Sequence, residues 1–274
     1  MEYLSPSGGF YIRGAPSVNM ANDTQARTLQ TTKTTLTVVR ALEEHGPVRV
    51  TELADRLDMA SSTIHSHLAT LAEEEFVAKD GDFYRLSLEF LRLGTHVRNL
   101  RDEHQVIQSY TKQLAEETDC RAVFLVEEHG RGVYLYTHSG KHAVWNYSTV
   151  GKQAPLHVSA SGKSILASLP RQRVNEIIDR HGLAPETDQS ITDREELLAE
   201  LDEIRERGFA FNHEEQLDGI KAVGVPVTGP DDRVIGSFSV ASPAKRMDDE
   251  WFETELPNKV MGIANEFELE ISMP

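Results

Sequence analysis

Met59-Ala-Ser-Ser-Thr-Ile-His-Ser-His-Leu-Ala-Thr-Leu71 decides how the front of the chain is read. Ile64, Leu68 and Leu71 recur at the spacing of one apolar stripe on a helix that starts near Ser61. Ser62, Thr63, Ser66 and Thr70 fall off that stripe, short and polar, and the stretch has no lysine or arginine. Upstream, Leu36, Val39 and Leu42 give a helix from Thr34 that stops at Gly46-Pro47. Thr51-Glu-Leu-Ala-Asp-Arg-Leu57 gives a second helix, capped by Thr51 and burying Leu53 and Leu57. Downstream, extended pieces at 76–79 and 83–86 flank Asp80-Gly81-Asp82, a hairpin turn. Helix, helix, turn, helix, hairpin is the order of a winged helix-turn-helix.

Beyond the hairpin, Leu93, Val97, Leu100, Val106, Tyr110 and Leu114 predict one amphipathic helix over 87–117 with no core of its own. From Cys120 onward, strands alternate with helices at about 159–169, 171–181 and 193–207. The third of these has a capping box from Thr192 to Glu195 and stops at Gly208. A hairpin of 223–228 with 234–240 and a terminal helix near 249–270 complete an antiparallel sheet covered by helices. The class is α+β. Four segments follow: 1–23, rich in Gly, Pro, Ser and Asn and read as a disordered tail with Met20 as an alternative start; 24–86, the winged helix; 87–117, a linker and dimerisation helix; and 118–274, the sheet domain.

Charge divides along the same lines. The 274 residues carry 28 Lys+Arg and 44 Asp+Glu, a formal net charge of -16. Residues 27–101 hold 10 basic and 11 acidic groups, whereas 102–274 hold 17 and 31. Arginine outnumbers lysine 19 to 9, and runs such as Asp248-Asp249-Glu250 read as solvated surface suited to a cytosol at molar salt. The single cysteine, Cys120, excludes an intrachain disulfide, fits a cytoplasmic protein and reads as a small buried hydrophobe. No stretch has the length and apolarity of a bilayer span, so no membrane partner is expected.

A near-neutral helix can still read DNA, because base edges are read by hydrogen bonds and methyl contacts while phosphates chiefly position the protein. Candidate contacts are Ser61, Ser62, Thr63, His65, Ser66 and Thr70, with Arg40, Arg49, Lys79 and Arg85 toward phosphates. The plainer alternative makes these serines solvated helix-start residues, with Ser61 as the cap. Farther on, Ser161-Gly-Lys-Ser164 is not a phosphate loop: His157 stands where that motif needs glycine. Ser159, Ala160 and Ser161 instead open a helix whose N–H groups suit a small anion, with Ser237 and Ser239 on one strand face as hydroxyl donors. His65 and His67 do not share a helix face, and His138 and His142 lack further ligands, so neither a metal nor a cofactor is expected. No nucleophile elbow is present, so no enzyme is expected.

Together these motifs resemble the isocitrate lyase regulator (IclR) type of transcription factor over about residues 28–270. The likeness rests in front on Thr51-Glu-Leu-Ala54 with Leu57, Ser62-Thr-Ile-His65, Leu68-Ala-Thr-Leu71, Tyr84-Arg-Leu86 and Leu93-Gly94. Behind, it rests on Pro155-Leu-His157, Ser161-Gly-Lys163, Gly208-Phe-Ala-Phe211, Glu214-Glu215, Gly219-Ile220 and Val225-Pro-Val227. The resemblance implies a winged-helix reader of double-stranded, palindromic promoter DNA, a linker helix and a GAF-like effector pocket in a homodimer or dimer of dimers. It places Asn212, Gly219, Ile220 and Ala222 on the pocket wall, opposite Ser159, Ala160, Ser161, Ser237 and Ser239, and implies a carboxylate or sugar-acid effector. The chain departs from the family at Ser61 and Ser66, where basic residues are common, at His67 for leucine, at Asn212 for Asp and at Ala222 for Cys or Ser. A winged helix used for protein contacts and an enzyme built on the sheet domain are the other two readings.

Overall fold

The computed structural model describes residues 28–101, 103–141, 143 and 148–273, in two compact units that divide at Leu93 and Gly94. The expected tail at 1–23, the alternative start at Met20 and His142 lie outside the described residues.

In the first unit, α1 (Gln30–His45), α2 (Val50–Leu57) and α3 (Ser61–Glu73) precede a hairpin of β2 (Val77–Asp80) and β3 (Phe83–Leu86). A two-residue strand β1 (Val48–Arg49), which has no signal in the sequence, pairs with β3 and gives the order β1-β3-β2. Ile64, Leu68 and Leu71 are buried, so the stripe on α3 is the core face. The face of α1 is shifted: Val38, Ala41 and Leu42 are buried while Leu36 is 49% exposed. Thr51 does not cap α2; the Glu52 carboxylate accepts the Arg49 N–H instead. Ala60 is the N-cap of α3, so Ser61 is its first helical residue and not its cap. Gly81, at φ +58, turns the hairpin.

The expected continuous linker is two helices, α4 (Glu89–Arg98) and α5 (Glu103–Thr118). Between them the His104 ring, at Nδ1, donates to the Arg98 carbonyl, and Tyr136 Oη donates to the His104 carbonyl. The first bond takes the Arg98 carbonyl, which a continuous helix would use itself, and the second anchors the start of α5 to β5. Helix α5 does cover a core, burying Ile107, Leu114 and Ala115. Helix α4 buries none of its residues, and Leu91 and Val97 on it are exposed.

The second unit is a six-stranded antiparallel sheet in the order β6-β5-β4-β9-β8-β7. Its strands are β4 (Arg121–Glu128), β5 (Arg131–Ser139), β6 (Gln153–Ala154), β7 (Ala210–His213), β8 (Ile220–Thr228) and β9 (Val234–Pro243). Alternation puts Phe124, Val240 and Phe238 against α5 and α9 (Leu256–Ser272). Val123 and Leu125 face the other layer, α6 (Ala160–Ser168), α7 (Arg171–His181) and α8 (Arg194–Arg207). The cap of α8 is Asp193, whose carboxylate accepts from Glu195 N and Glu196 N, one residue past the expected Thr192.

Two glycines set the position of α6. A Cβ on Gly162 would stand 2.1 Å from the Leu156 carbonyl oxygen, and one on Gly224 would stand 2.4 Å from the Ala160 carbonyl carbon. Those contacts are backbone and cannot yield as a side chain can. Gly162→Ala should therefore cost about 1–3 kcal/mol in urea unfolding. Gly262→Ala, where a Cβ on α9 meets nothing within 4 Å, should stabilise the helix slightly. Equal effects of the two would contradict this packing.

Burial holds the His104, His157 and His213 imidazoles below their usual pKa. A neutral buried imidazole stabilises the fold above its unfolded pKa of about 6.5, and that contribution is lost as pH falls through the lower folded value. The melting temperature should fall as pH drops below about 6.5. His157→Gln should make that fall shallower by removing one of the three titrations.

Candidate nucleic-acid face and effector cavity

Ser61, Ser62, Thr63, His65, Ser66 and Thr70 are all exposed on α3, off the face that carries Ile64 and Leu68. Ser66 Oγ donates to the Ser62 carbonyl at 3.0 Å and Thr70 Oγ1 to the Ser66 carbonyl at 3.1 Å. Each hydroxyl hydrogen is thus turned back on the helix, and its lone pairs point away from it. A hydroxyl held this way accepts from a base amino group and packs its carbon against a thymine methyl. His67 sits 2.9 Å from Thr35 Oγ1 through Nδ1 and so ties α3 to α1.

The expected phosphate contacts are exposed but not all on one surface. Cross-strand pairing puts Arg49 beside Phe83, whose ring lies 4.5 Å from the guanidinium carbon, and Arg85 shares that face of β3. Lys79 pairs with Tyr84 on the opposite face, its ammonium 5.4 Å from the Tyr84 ring. Arg40 stands on α1 with no ion pair to any described residue.

In the second unit a cavity of about 30 Å³ lies between the start of α6 and the sheet. Ser159, Ala160, Ser161, Asn212, Ile220, Ala222 and Ser239 line it, as sequence reasoning expected. Two expected residues do not. Gly219 lies one step beyond the wall, its N–H given to Glu214 Oε2 at 2.6 Å, and Ser237 is buried deeper, accepting from Ser164 Oγ at 2.8 Å. Sequence reasoning missed Val123 and Ala241, which the strand alternation with Ser239 could have supplied. It also missed Tyr134, Ser148, Gln216 and Leu217, which loops and distant strands bring in. Gln216 Nε2 donates to Tyr134 Oη at 3.2 Å across the wall. A space of this size suits about two waters.

Several polar groups around the cavity are already engaged. Ser159 Oγ accepts the Gly162 N–H at 3.0 Å, so α6 offers a ligand at most the N–H groups of Ala160 and Ser161. Asn212 Nδ2 donates to the Val158 carbonyl at 2.5 Å. An ionised Asp could not donate there, so the contact requires the amide. Lys163 is buried behind the helix, 2.7 Å from Glu215 Oε1 and 3.6 Å from Glu200 Oε1. Burial raises the Glu215 pKa, and the neighbouring ammonium opposes that rise. The lysine of Ser161-Gly-Lys163 therefore braces α6 against the loop that carries Gln216 and Leu217, and serves no phosphate.

Residues 34–81 match the IclR helix-turn-helix domain, and residues 96–268 match the family described as bacterial transcriptional regulator IclR C-terminal. A Halobacterium salinarum protein named as probable HTH-type transcriptional regulator ArcR is 32% identical over 255 residues, 92% of this chain and 97% of that one. The crystal structure of an IclR transcriptional regulator from Alicyclobacillus acidocaldarius is similar with a TM-score of 0.74 at 27% identity, over 90% of this chain and 98% of that one. An IclR homolog of Microbacterium hydrocarbonoxydans complexed with 4-hydroxybenzoate shares the fold, with a TM-score of 0.74 at 18% identity over 86% of this chain and 98% of that one. Such relatives carry the names of transcriptional regulators and repressors, not of enzymes. With an exposed recognition-type helix in one unit and a cavity between helix and sheet in the other, this chain belongs to the IclR family of helix-turn-helix transcriptional regulators.

Proposed function

We propose that the chain regulates a metabolic operon by reading a palindromic promoter site with the exposed face of α3, under control of a small effector held between α6 and the sheet. The observation that carries this reading is the division of α3: Ile64, Leu68 and Leu71 buried, Ser62, Thr63, Ser66 and Thr70 exposed and polar. Arg40, Arg49 and Arg85 supply the phosphate contacts, with Lys79 from the other face of the wing. Because these cations are few, affinity rests more on base contacts than on counterion release. The relative crystallised with 4-hydroxybenzoate supports an organic-acid effector, and entry of such a molecule requires the cavity to widen, the Gln216–Tyr134 contact being the first to yield.

Two copies are needed to read two half-sites. The exposed apolar side chains Leu88, Leu91, Val97 and Leu100 in and beside α4 support a self-association surface there. Light scattering should find a dimer or a dimer of dimers, and Leu91→Glu with Val97→Glu should shift it toward the monomer. A monomeric wild-type chain would refute this part of the reading.

The DNA reading is tested on the intergenic DNA next to the coding gene by gel retardation over a range of potassium chloride. Thr63→Ala with Ser66→Ala should lose about 1–3 kcal/mol of preference for the site over unrelated DNA. Arg40→Ala should weaken both alike and lower the log–log salt slope by about 1 per lost phosphate contact. Unchanged preference in the first variant would shift the winged helix to protein contacts.

A further inference from the structure

The chain buries two permanent cations among its described residues, and it treats them differently. Lys163, 2% exposed, stands between the carboxylates of Glu215 and Glu200. Arg121, 6% exposed on β4, has no carboxylate within ion-pair distance among the described residues. Its partners are neutral: Nε donates to Ser148 Oγ at 2.7 Å, Nη1 to Ser139 Oγ at 2.8 Å and Nη2 to the Ser148 carbonyl. Serine oxygens need donors, not a net charge, and a glutamine would satisfy one of them without placing a cation in a poorly solvated site. A buried guanidinium that nothing neutralises is costly. It is more so in a unit where residues 102–274 hold 31 acidic groups, any of which could have been its partner.

The position of Arg121 explains the charge. Cross-strand register puts Arg121, Ala241, Ala222 and Asn212 in one row on the sheet, the last three of which line the effector cavity. Ser148, held by Arg121 through two hydrogen bonds, lines the same cavity. On its other side Arg121 borders a cleft of about 400 Å³ that shares Ala241 with the cavity. The cleft also carries two acids and a second arginine, Arg246: Asp119 Oδ1 lies 3.8 Å from Lys141 Nζ with no hydrogen-bond partner among the described residues, and Asp248 Oδ1 accepts the Trp251 N–H at 2.9 Å. Arg121 itself borders the cleft and not the cavity, and Ser148 takes its Nε and Nη2 edge, so the second hydrogens of Nη1 and Nη2 are what a carboxylate entering past Ala241 would meet.

We propose that Arg121 is the anion-recognising residue of the C-terminal unit and that the effector is an organic acid whose single carboxylate this guanidinium neutralises. The assignment rests on the effector-cavity reading above. It moves the carboxylate from the α6 N-terminus to β4 and leaves the N–H groups of Ala160 and Ser161 for the neutral oxygens of the same molecule.

The test uses the full chain, calorimetric titration and four acids, each paired with its amide: acetate, pyruvate, gluconate and 4-hydroxybenzoate. The wild type should bind at least one acid and discriminate against its amide. Arg121→Gln, which keeps a donor for Ser148, should bind that acid about tenfold or more weakly with little change toward the amide. Should that variant fail to fold, the Nε–H resonance of Arg121 in the wild type is read instead, and should move with the acid and not with the amide. No binding of any acid by the wild type, or an Arg121→Gln variant with lower melting temperature but the same preference for acid over amide, would overturn the proposal. Gel retardation on the same samples keeps the two readings apart. Acid binding through Arg121 without DNA retardation removes the regulator and leaves the site; retardation without acid binding does the reverse.

Discussion

Like charges crowd this chain, and the cost of bringing an anion to it shapes both of its candidate sites. With 44 acidic groups against 28 basic ones, long-range attraction for DNA or for an organic acid is weak, and in salt it is screened within about 10 Å or less. Recognition must then come from short-range contacts in places where the acidic surface is kept away. The first unit does this by composition, since residues 27–101 are near neutral. The second does it by burial, setting Arg121 on the sheet with neutral hydrogen-bond partners and no ion pair among the described residues. Both solutions trade field for geometry.

That trade requires rigidity at the contact. On α3 rigidity comes from Ile64, Leu68 and Leu71, which sit in the core and fix the rotation of the helix, and from the Thr35–His67 contact. Around the cavity it comes from the close approach of α6 to β8 at Gly224 and from Lys163, which ties the helix to Glu215. The Glu215 loop carries Gln216 and Leu217 into the wall, so a ligand that widens the cavity pushes against a braced element.

The sequence showed elements where one physical signal dominated. The stripe on α3, the Asp80-Gly81-Asp82 turn and the Gly208 stop were legible because each rests on local geometry. Leu36 and Val38 both fit a helical period on α1, and only packing in one core with Leu53, Ile64 and Leu68 selects Val38. The break between α4 and α5 was illegible because the apolar period runs on through it, whereas the Arg98 carbonyl at the end of α4 is taken by the His104 ring. In the cavity, residues on one strand face or at a helix start could be named from spacing, as Ser239 and Ser159 were. Tyr134, Ser148 and Gln216 could not, nor could Arg121, whose partners Ser139 and Ser148 are distant in the chain.

Base reading by the uncharged face of α3 is open to a direct measurement. Replacing single thymines by uracil across the bound promoter site removes one methyl at a time and leaves every phosphate in place. Binding should weaken at a few positions in two symmetric clusters about one helical turn apart, and the effect should vanish at those positions in a chain that lacks the Thr63 and Ser66 hydroxyls. Binding indifferent to every such substitution, and sensitive only to salt, would show a protein held by the backbone alone and would contradict the account.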